Sequence, residues 1–329
     1  MSLALSILDL APVAPGQPLS ESLAASVELA RTAERTGYRR VWYAEHHNMP
    51  RIASSATSVL IAHVAAHTST IRLGAGGIML PNHAPLMIAE QFGTLASLHP
   101  DRIDLGLGRA PGSDQATMYA LRRDPASADT FPADVQELQG FLGDETLVPG
   151  VYATPGRGTH VPLYILGSSL FGAQLAAALG LPYAFASHFA PTALEAAVST
   201  YRREFRPSDQ LDAPYVIAGV NVIAADDPEE AQQQLHQTLV SRIRMFLGRG
   251  QHWTDEQAES VLASPQGQQV ATMMTYTAVG TSGQAVDYLE DFAKRADADE
   301  LITAHQSPGV EARLRSVELL AKAAGLDPV

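Results

Sequence analysis

The residues able to do chemistry gather at the ends of short apolar runs. Val41-Trp42-Tyr43-Ala44 leads into Glu45-His46-His47, which places a carboxylate and two imidazoles at the end of a strand. Neighbours on a strand face opposite ways, so only one of His46 and His47 can enter a given pocket. A two-histidine metal chelate is therefore disfavoured, and no His-x-His pair offers a better one. A single imidazole at such a place is suited to moving a proton near neutral pH. His188 follows Tyr183-Ala184-Phe185-Ala186-Ser187, His305 follows Glu300-Leu301-Ile302-Thr303-Ala304, and Asp9 lies near the end of a first run. Together with His46 they describe a polar pocket for a small-molecule substrate. Taken singly, each also fits an ordinary hydrogen-bonded structural residue.

Three further segments point to a flat, phosphorylated ligand. The run from Ile71 to Pro81 carries Gly74, Ala75, Gly76 and Gly77, and glycines inside a strand weaken its packing. They imply a bulge, close approach of something planar, or an interior that needs small residues. In Gly106-Leu107-Gly108-Arg109-Ala110-Pro111-Gly112, an arginine among glycines lets guanidinium and backbone reach a phosphate together; a salt bridge is its other reading. The Gly-x-Gly-x-x-x-Gly spacing is not a dinucleotide fingerprint. Gly167-Ser168-Ser169 runs straight into the helical pattern from Leu170, and a helix N-terminus with free N–H groups and hydroxyls attracts anions. Serine is also an ordinary helix cap. The pairing with Arg109 on the neighbouring strand strengthens the anion reading.

The elements that must position these residues alternate along the chain. Strands are expected near 3–9, 40–44, 70–79, 102–107, 162–166, 183–187, 214–224 and 299–304. Helices are expected near 20–36, 54–67, 84–98, 132–142, 170–180, 191–205, 227–248 and 309–324, with an extra one near 283–294. Pro228 after Asp226-Asp227 suits a helix start, and Gly37 and Gly180 suit helix ends. Repeated βα units make a parallel sheet, open or closed, whose ligands lie at the C-terminal ends of the strands. No linker divides residues 1–329, so one domain is expected. The longest interruptions are 110–131, 144–161 and 250–282. The first follows the fourth strand and the third follows the seventh, where long loops carry pockets or lids.

Composition narrows the classes. The 329 residues are 46% hydrophobic, a length and composition that fit one elaborated barrel or two ordinary domains, and contain no cysteine. Disulfides, thiolate nucleophiles and cysteine-held metal centres are thereby excluded. A net charge of −13 without a basic cluster argues against nucleic acid or an anionic membrane as partner. There is no apolar run long enough to span a membrane and no leader-like N-terminus, so a cytoplasmic location is expected.

In their order along the chain these motifs resemble the luciferase-like flavin monooxygenases and their deazaflavin-using relatives. The likeness is carried by Gly37-Tyr38 to Val41-Trp42 with Glu45-His46-His47, Arg72-Leu73-Gly74-Ala75-Gly76-Gly77 to Leu80-Pro81, and Glu90-Gln91. It continues through His99-Pro100-Asp101-Arg102 with Gly106-Leu107-Gly108-Arg109, Gly180-Leu181-Pro182, Val279-Gly280-Thr281 and Asp299-Glu300-Leu301. The resemblance implies a (β/α)8 TIM barrel with insertions after the fourth and seventh strands, O2 chemistry, and a homodimer through the second and third helices. Reduced FMN would come from a separate, transiently engaged flavin reductase, and a small organic substrate would be oxygenated. His46 aligns with the family histidine that assists substrate chemistry. Arg109 and Gly167-Ser168-Ser169 align with the flavin phosphate site. Ala75-Gly76-Gly77 falls where the family has a non-prolyl cis peptide beside the flavin ring. The light-emitting members carry an acid, a cysteine and a tryptophan where this chain has Ser168, Gly108 and Ser187, so luminescence is not expected. The alternatives are a deazaflavin-dependent dehydrogenase or reductase, a metal-dependent barrel hydrolase using His46, His188, His305 and Asp9, and a non-catalytic flavin-binding protein. The leading expectation includes no metal.

Overall fold

The computed structural model describes residues 3–109, 114–248 and 253–327. In chain order its elements are β1 (Leu5–Asp9), α1 (Leu19–Arg35), β2 (Arg40–Tyr43), α2 (Thr57–Ala65), β3 (Arg72–Met79), α3 (Pro85–Leu98), β4 (Ile103–Gly108), α4 (Gln115–Ala120), α5 (Phe131–Leu142), β5 (Leu163–Gly167) and α6 (Leu170–Leu179). They continue as β6 (Tyr183–Phe185), α7 (Leu194–Glu204), β7 (Val216–Ala225), α8 (Pro228–Leu247), α9 (Asp255–Leu262), α10 (Pro265–Thr272), β8 (Thr277–Thr281), α11 (Ser282–Ala296), β9 (Glu300–His305) and α12 (Val310–Ala323). Every pairing between these strands is parallel, and the ring closes in the order β1-β2-β3-β4-β5-β6-β7-β9. This is a (β/α)8 barrel, and its eight ring strands fall within two residues of the expected ones. Ala110, Pro111 and Gly112 lie outside the described residues.

The caps follow local chemistry. The Asp227 side chain accepts from the Glu230 N–H with Pro228 at the first turn, and Gly180 ends α6 at φ 65°. Four elements were not expected: α4, α9, α10 and β8. Both α9 and α10 begin at good caps, Thr254 and Ser264, yet bury only Ala258 and Gly267 with Val270, so their apolar periodicity is faint. β8 lies outside the ring and pairs with the far half of the long β7, from Asn221 to Ala225, whose ring pairings end at Val222.

Alternation sorts the strand residues into two layers. Leu8, Trp42, Ala44, Tyr164, Ala184, Ile217 and Ile302 form the barrel interior. Ile7, Val41, Tyr43, Leu73, Ala75, Leu105 and Ile165 face the helices in the main core. Strands buried on both faces explain the nearly continuous apolar runs.

A charged network fills the N-terminal end. The Arg40 guanidinium donates to Asp104 at 2.8 Å and to the Tyr164 hydroxyl at 2.7 Å, and its Nε lies 3.0 Å from Glu300. Burial would lower the Arg40 pKa, but the two carboxylates outweigh it and raise it. A cavity of about 630 Å3 opens beside this network, lined by Arg39, Arg72, Pro162 and Tyr215 at strand starts. In this fold that end serves stability, and chemistry is built at the other.

Candidate active site

At the C-terminal ends of the strands, β2 delivers Glu45, His46 and His47 in alternation. Glu45 is buried and points away from the mouth, where its carboxylate accepts from the Met79 N–H at 3.0 Å. His83 Nε2 lies 2.9 Å and His47 Nε2 2.8 Å from the same carboxylate. Burial would raise the Glu45 pKa, but bonding to His83, its charge and the Met79 N–H together hold it below the usual range. The loops after β2 and β3 are thus clamped to each other. His46, one position earlier than His47, makes no hydrogen bond or ion pair among the described residues and is half-buried. Burial lowers its pKa against the raising effect of Glu45, so it is a neutral imidazole able to accept a proton.

The glycines of β3 sit where the ladder to β4 slips. Ala75 pairs with Leu105 and Ile78 with Leu107, so Gly76 and Gly77 together face Gly106, and the peptide between them is cis. A Cβ on Gly76 would come within 2.9 Å of Leu8 and Trp42, and one on Gly77 within 2.7 Å of the Gly106 carbonyl. A Cβ on Gly108 would meet only the Ile78 carbonyl, at 3.8 Å. The inward positions at this level are therefore a bare backbone shelf, of a shape to take a planar ring. Ala75 does not contribute its side chain, which is buried against the helical layer.

Beside the shelf, Arg109 directly follows β4, with its guanidinium 4.3 Å from the centre of the Phe171 ring in the first turn of α6. The two halves of the expected phosphate site are thereby brought together. Arg109 has no ion pair, and neither the Ser168 nor the Ser169 hydroxyl has a partner among the described residues. Ser169 occupies the N-cap position of α6 without capping it. Tyr183 donates to the Ser169 carbonyl at 3.1 Å and holds the turn in place. Free N–H groups, two free hydroxyls and an unpaired guanidinium fit a flavin phosphate, and the shelf fits its ring.

His188 lies over β7, where a Cβ at Gly219 would come 2.4 Å from its Nδ1, so only glycine permits this packing. Burial, then the charge of Arg242, then His46 push its pKa down to about 3. The Asn221 amide donates to the His188 carbonyl at 2.6 Å and accepts from Gln306 at 3.0 Å. None of Gly219, Asn221, Gln306 or Arg242 was singled out from the sequence, since each is ordinary in its local context.

Two expected pocket residues do not face the mouth. Asp9 is committed to the helical layer: it accepts from Ser26 of α1 and the Ala11 N–H, with Arg313 of α12 at 3.6 Å. His305 likewise turns outward, with its Nδ1 2.8 Å from the Ser316 hydroxyl of α12, and burial followed by Arg313 pushes its pKa down to about 3. Parity explains both, because Leu8 and Ile302 face inward and Asp9 and His305 lie odd steps from them. The four-residue metal set of a hydrolase is not assembled, and among the described residues no group of three potential ligands converges.

The rim comes from the insertion after β4. Asn48 donates to Asp114 at 3.0 Å, and Arg123 donates to the Asn82 carbonyl at 3.0 Å, so this segment borders the β2–β3 side of the mouth.

Barrel, shelf and anion-ready helix end together make a barrel mouth shaped for a flat, phosphorylated ligand. Residues 3–299 match the luciferase-like monooxygenase family, and the chain belongs to it. It is 47% identical over 321 residues to a luciferase-like monooxygenase of Escherichia coli (strain K12), covering 97% of this chain and 96% of that protein. An N-acetyl-S-alkylcysteine monooxygenase of Bacillus subtilis (strain 168) is 35% identical over 270 residues, covering 78% of this chain and 79% of that one. The crystal structure of apo-MsnO8 superposes with a TM-score of 0.90 at 36% identity, covering 100% of this chain and 99% of the other. No described helix is long and apolar enough to cross a membrane.

Proposed function

We propose that the protein is a flavin-dependent monooxygenase that takes reduced FMN from a separate reductase, engaged transiently, and oxygenates a small organic substrate. The observation that carries this reading is the unpaired Arg109 set against the uncapped α6 N-terminus, beside the glycine shelf. Bound there, reduced flavin supplies the electrons that activate O2. The protein's own groups bind and orient: Arg109, Ser168 and Ser169 hold the phosphate, Gly76 and Gly77 bed the ring, and neutral His46 accepts or returns the substrate proton at an imidazole nitrogen. The 114–131 segment at the rim restricts water. The thioether in the substrate name of the Bacillus subtilis relative makes organic thioethers the first compounds to assay. A homodimer through α2 and α3 is part of the proposal, since Val59 and Met87 expose large apolar surface there.

Anaerobic titration with photoreduced FMN tests the site. Arg109→Ala is expected to weaken binding by about tenfold or more, the loss of a charge-assisted hydrogen bond to phosphate. Unchanged affinity removes the phosphate assignment. A deazaflavin that binds more tightly than FMN moves the reading to hydride transfer.

A further inference from the structure

The long helix after β7 carries an unpaired cation to the mouth. β7 outruns the ring: its last barrel pairing joins Val222 to His305, and Ile223 to Ala225 pair only with β8. α8 therefore begins beyond the ring and returns toward it. In its middle, the Thr238 hydroxyl donates at 2.8 Å to the carbonyl of Gln306, the residue just after β9. Gln306 is bonded to Asn221, and Asn221 to the His188 carbonyl, so α8 is tied to the chain that positions His188. Arg242 lies one turn further along the same face of α8.

Arg242 is half-buried and has no ion pair or hydrogen bond among the described residues. Its neighbours show the contrast: Arg244 pairs with Asp255, and Arg315 with Asp226. Burial pushes the Arg242 pKa down to about 10, with no carboxylate opposing it, and its charge is felt by His188. His188 itself keeps a buried Nδ1 without a partner. A sequestered cation lacking a counter-charge is costly, and a ligand that brings the charge removes that cost. The flavin phosphate is provided for at β4 and β5, whereas Arg242 stands on the α8 turn beyond Thr238, and its charge and that of His46 both act on His188.

We propose that Arg242 anchors a carboxylate of the substrate, so that the compounds this protein acts on are small organic acids. The inference rests on the mouth being the flavin and substrate site. A guanidinium takes a carboxylate in a two-point grip that leaves the rest of the molecule directed toward His188 and His46.

Calorimetric titration of matched acids and amides tests it: benzoate against benzamide, and hexanoate against hexanamide, with and without FMN. Wild type is expected to bind each acid at least tenfold more tightly than its amide. Arg242→Gln is expected to erase that preference while FMN affinity stays within about twofold, and Arg242→Lys to retain part of the preference. Equal binding of acid and amide by wild type overturns the proposal, as does failure of both acids to bind at millimolar concentration. Retention of the preference in a folded Arg242→Gln also overturns it. So does a loss of FMN affinity matching that of Arg109→Ala, which would assign Arg242 to the cofactor. The wild-type comparison needs no variant to fold, and the Arg109→Ala titration separately reports any failure of the flavin reading.

Discussion

One position along β2 separates a free imidazole from a committed one. His47 is held by Glu45, while His46, facing inward, is left neutral and unbonded. His46→Asn is expected to lower turnover by about 10²–10⁴, the usual worth of a positioned general base, while FMN affinity stays within about twofold. Stopped-flow turnover beside equilibrium titration separates the two, and a parallel loss of both would reduce His46 to a binding residue. Parity also fixes His305 outside the barrel, where it is 7% exposed and kept neutral. Unfolded, its imidazole takes a proton near pH 6.5; folded, only near 3. The unfolded state thus binds more protons below pH 6.5, and stability falls as pH drops from 6.5 toward 3 by up to about 1.4 kcal/mol per unit. Urea unfolding at pH 7 and pH 5 should show a smaller acid loss in His305→Asn than in wild type; identical losses would mean His305 is not the group responsible. The same alternation that disfavoured a His46–His47 chelate in the sequence also covered Asp9 and His305. It could not be applied there until Leu8 and Ile302 were known to face inward.

At the scale of elements, β4 serves both ends of the barrel. Its upper end presents Gly108 and Arg109 to α6, and its lower end presents Asp104 to Arg40, Arg72 and Trp42. Asp104→Asn leaves Arg40 and Arg72 short of a counter-charge inside the barrel, and stability is expected to fall by about 3 kcal/mol or more. Denaturant midpoints measure it, and a change under 1 kcal/mol would show that Glu300 alone satisfies Arg40. The ring strands and main helices were legible because each is long enough to show a period. The cap helices α9 and α10 were not, because they bury few side chains. The path of α8 back to the mouth was invisible for another reason: it depends on β7 finding a second partner in β8.

For the whole molecule, the barrel leaves α2 and α3 side by side, joined where Ser58 donates to Gln91 at 2.8 Å, with Val59 at 68% and Met87 at 54% exposure. Two large apolar residues on adjoining helices are suited to burial against a second copy. The double variant Val59→Lys, Met87→Lys is expected to run as a monomer by light scattering where wild type runs as a dimer. A wild-type monomer at micromolar concentration would retire the dimer.

The sequence alone determined the βα alternation, the closure into a barrel through family likeness, and the residues at strand ends, since period and punctuation are local properties. It also marked Arg109, Ser168, Ser169 and the paired glycines, because their types are unusual where they stand. Only the tertiary structure decided which strand-end residues face the mouth. It turned Asp9 and His305 to the helices and left His46 free. It also brought the charge of Arg242, on a remote helix, within electrostatic reach of His188, because inward and outward faces, and contacts across a closed ring, are set by the registers of strands distant in sequence.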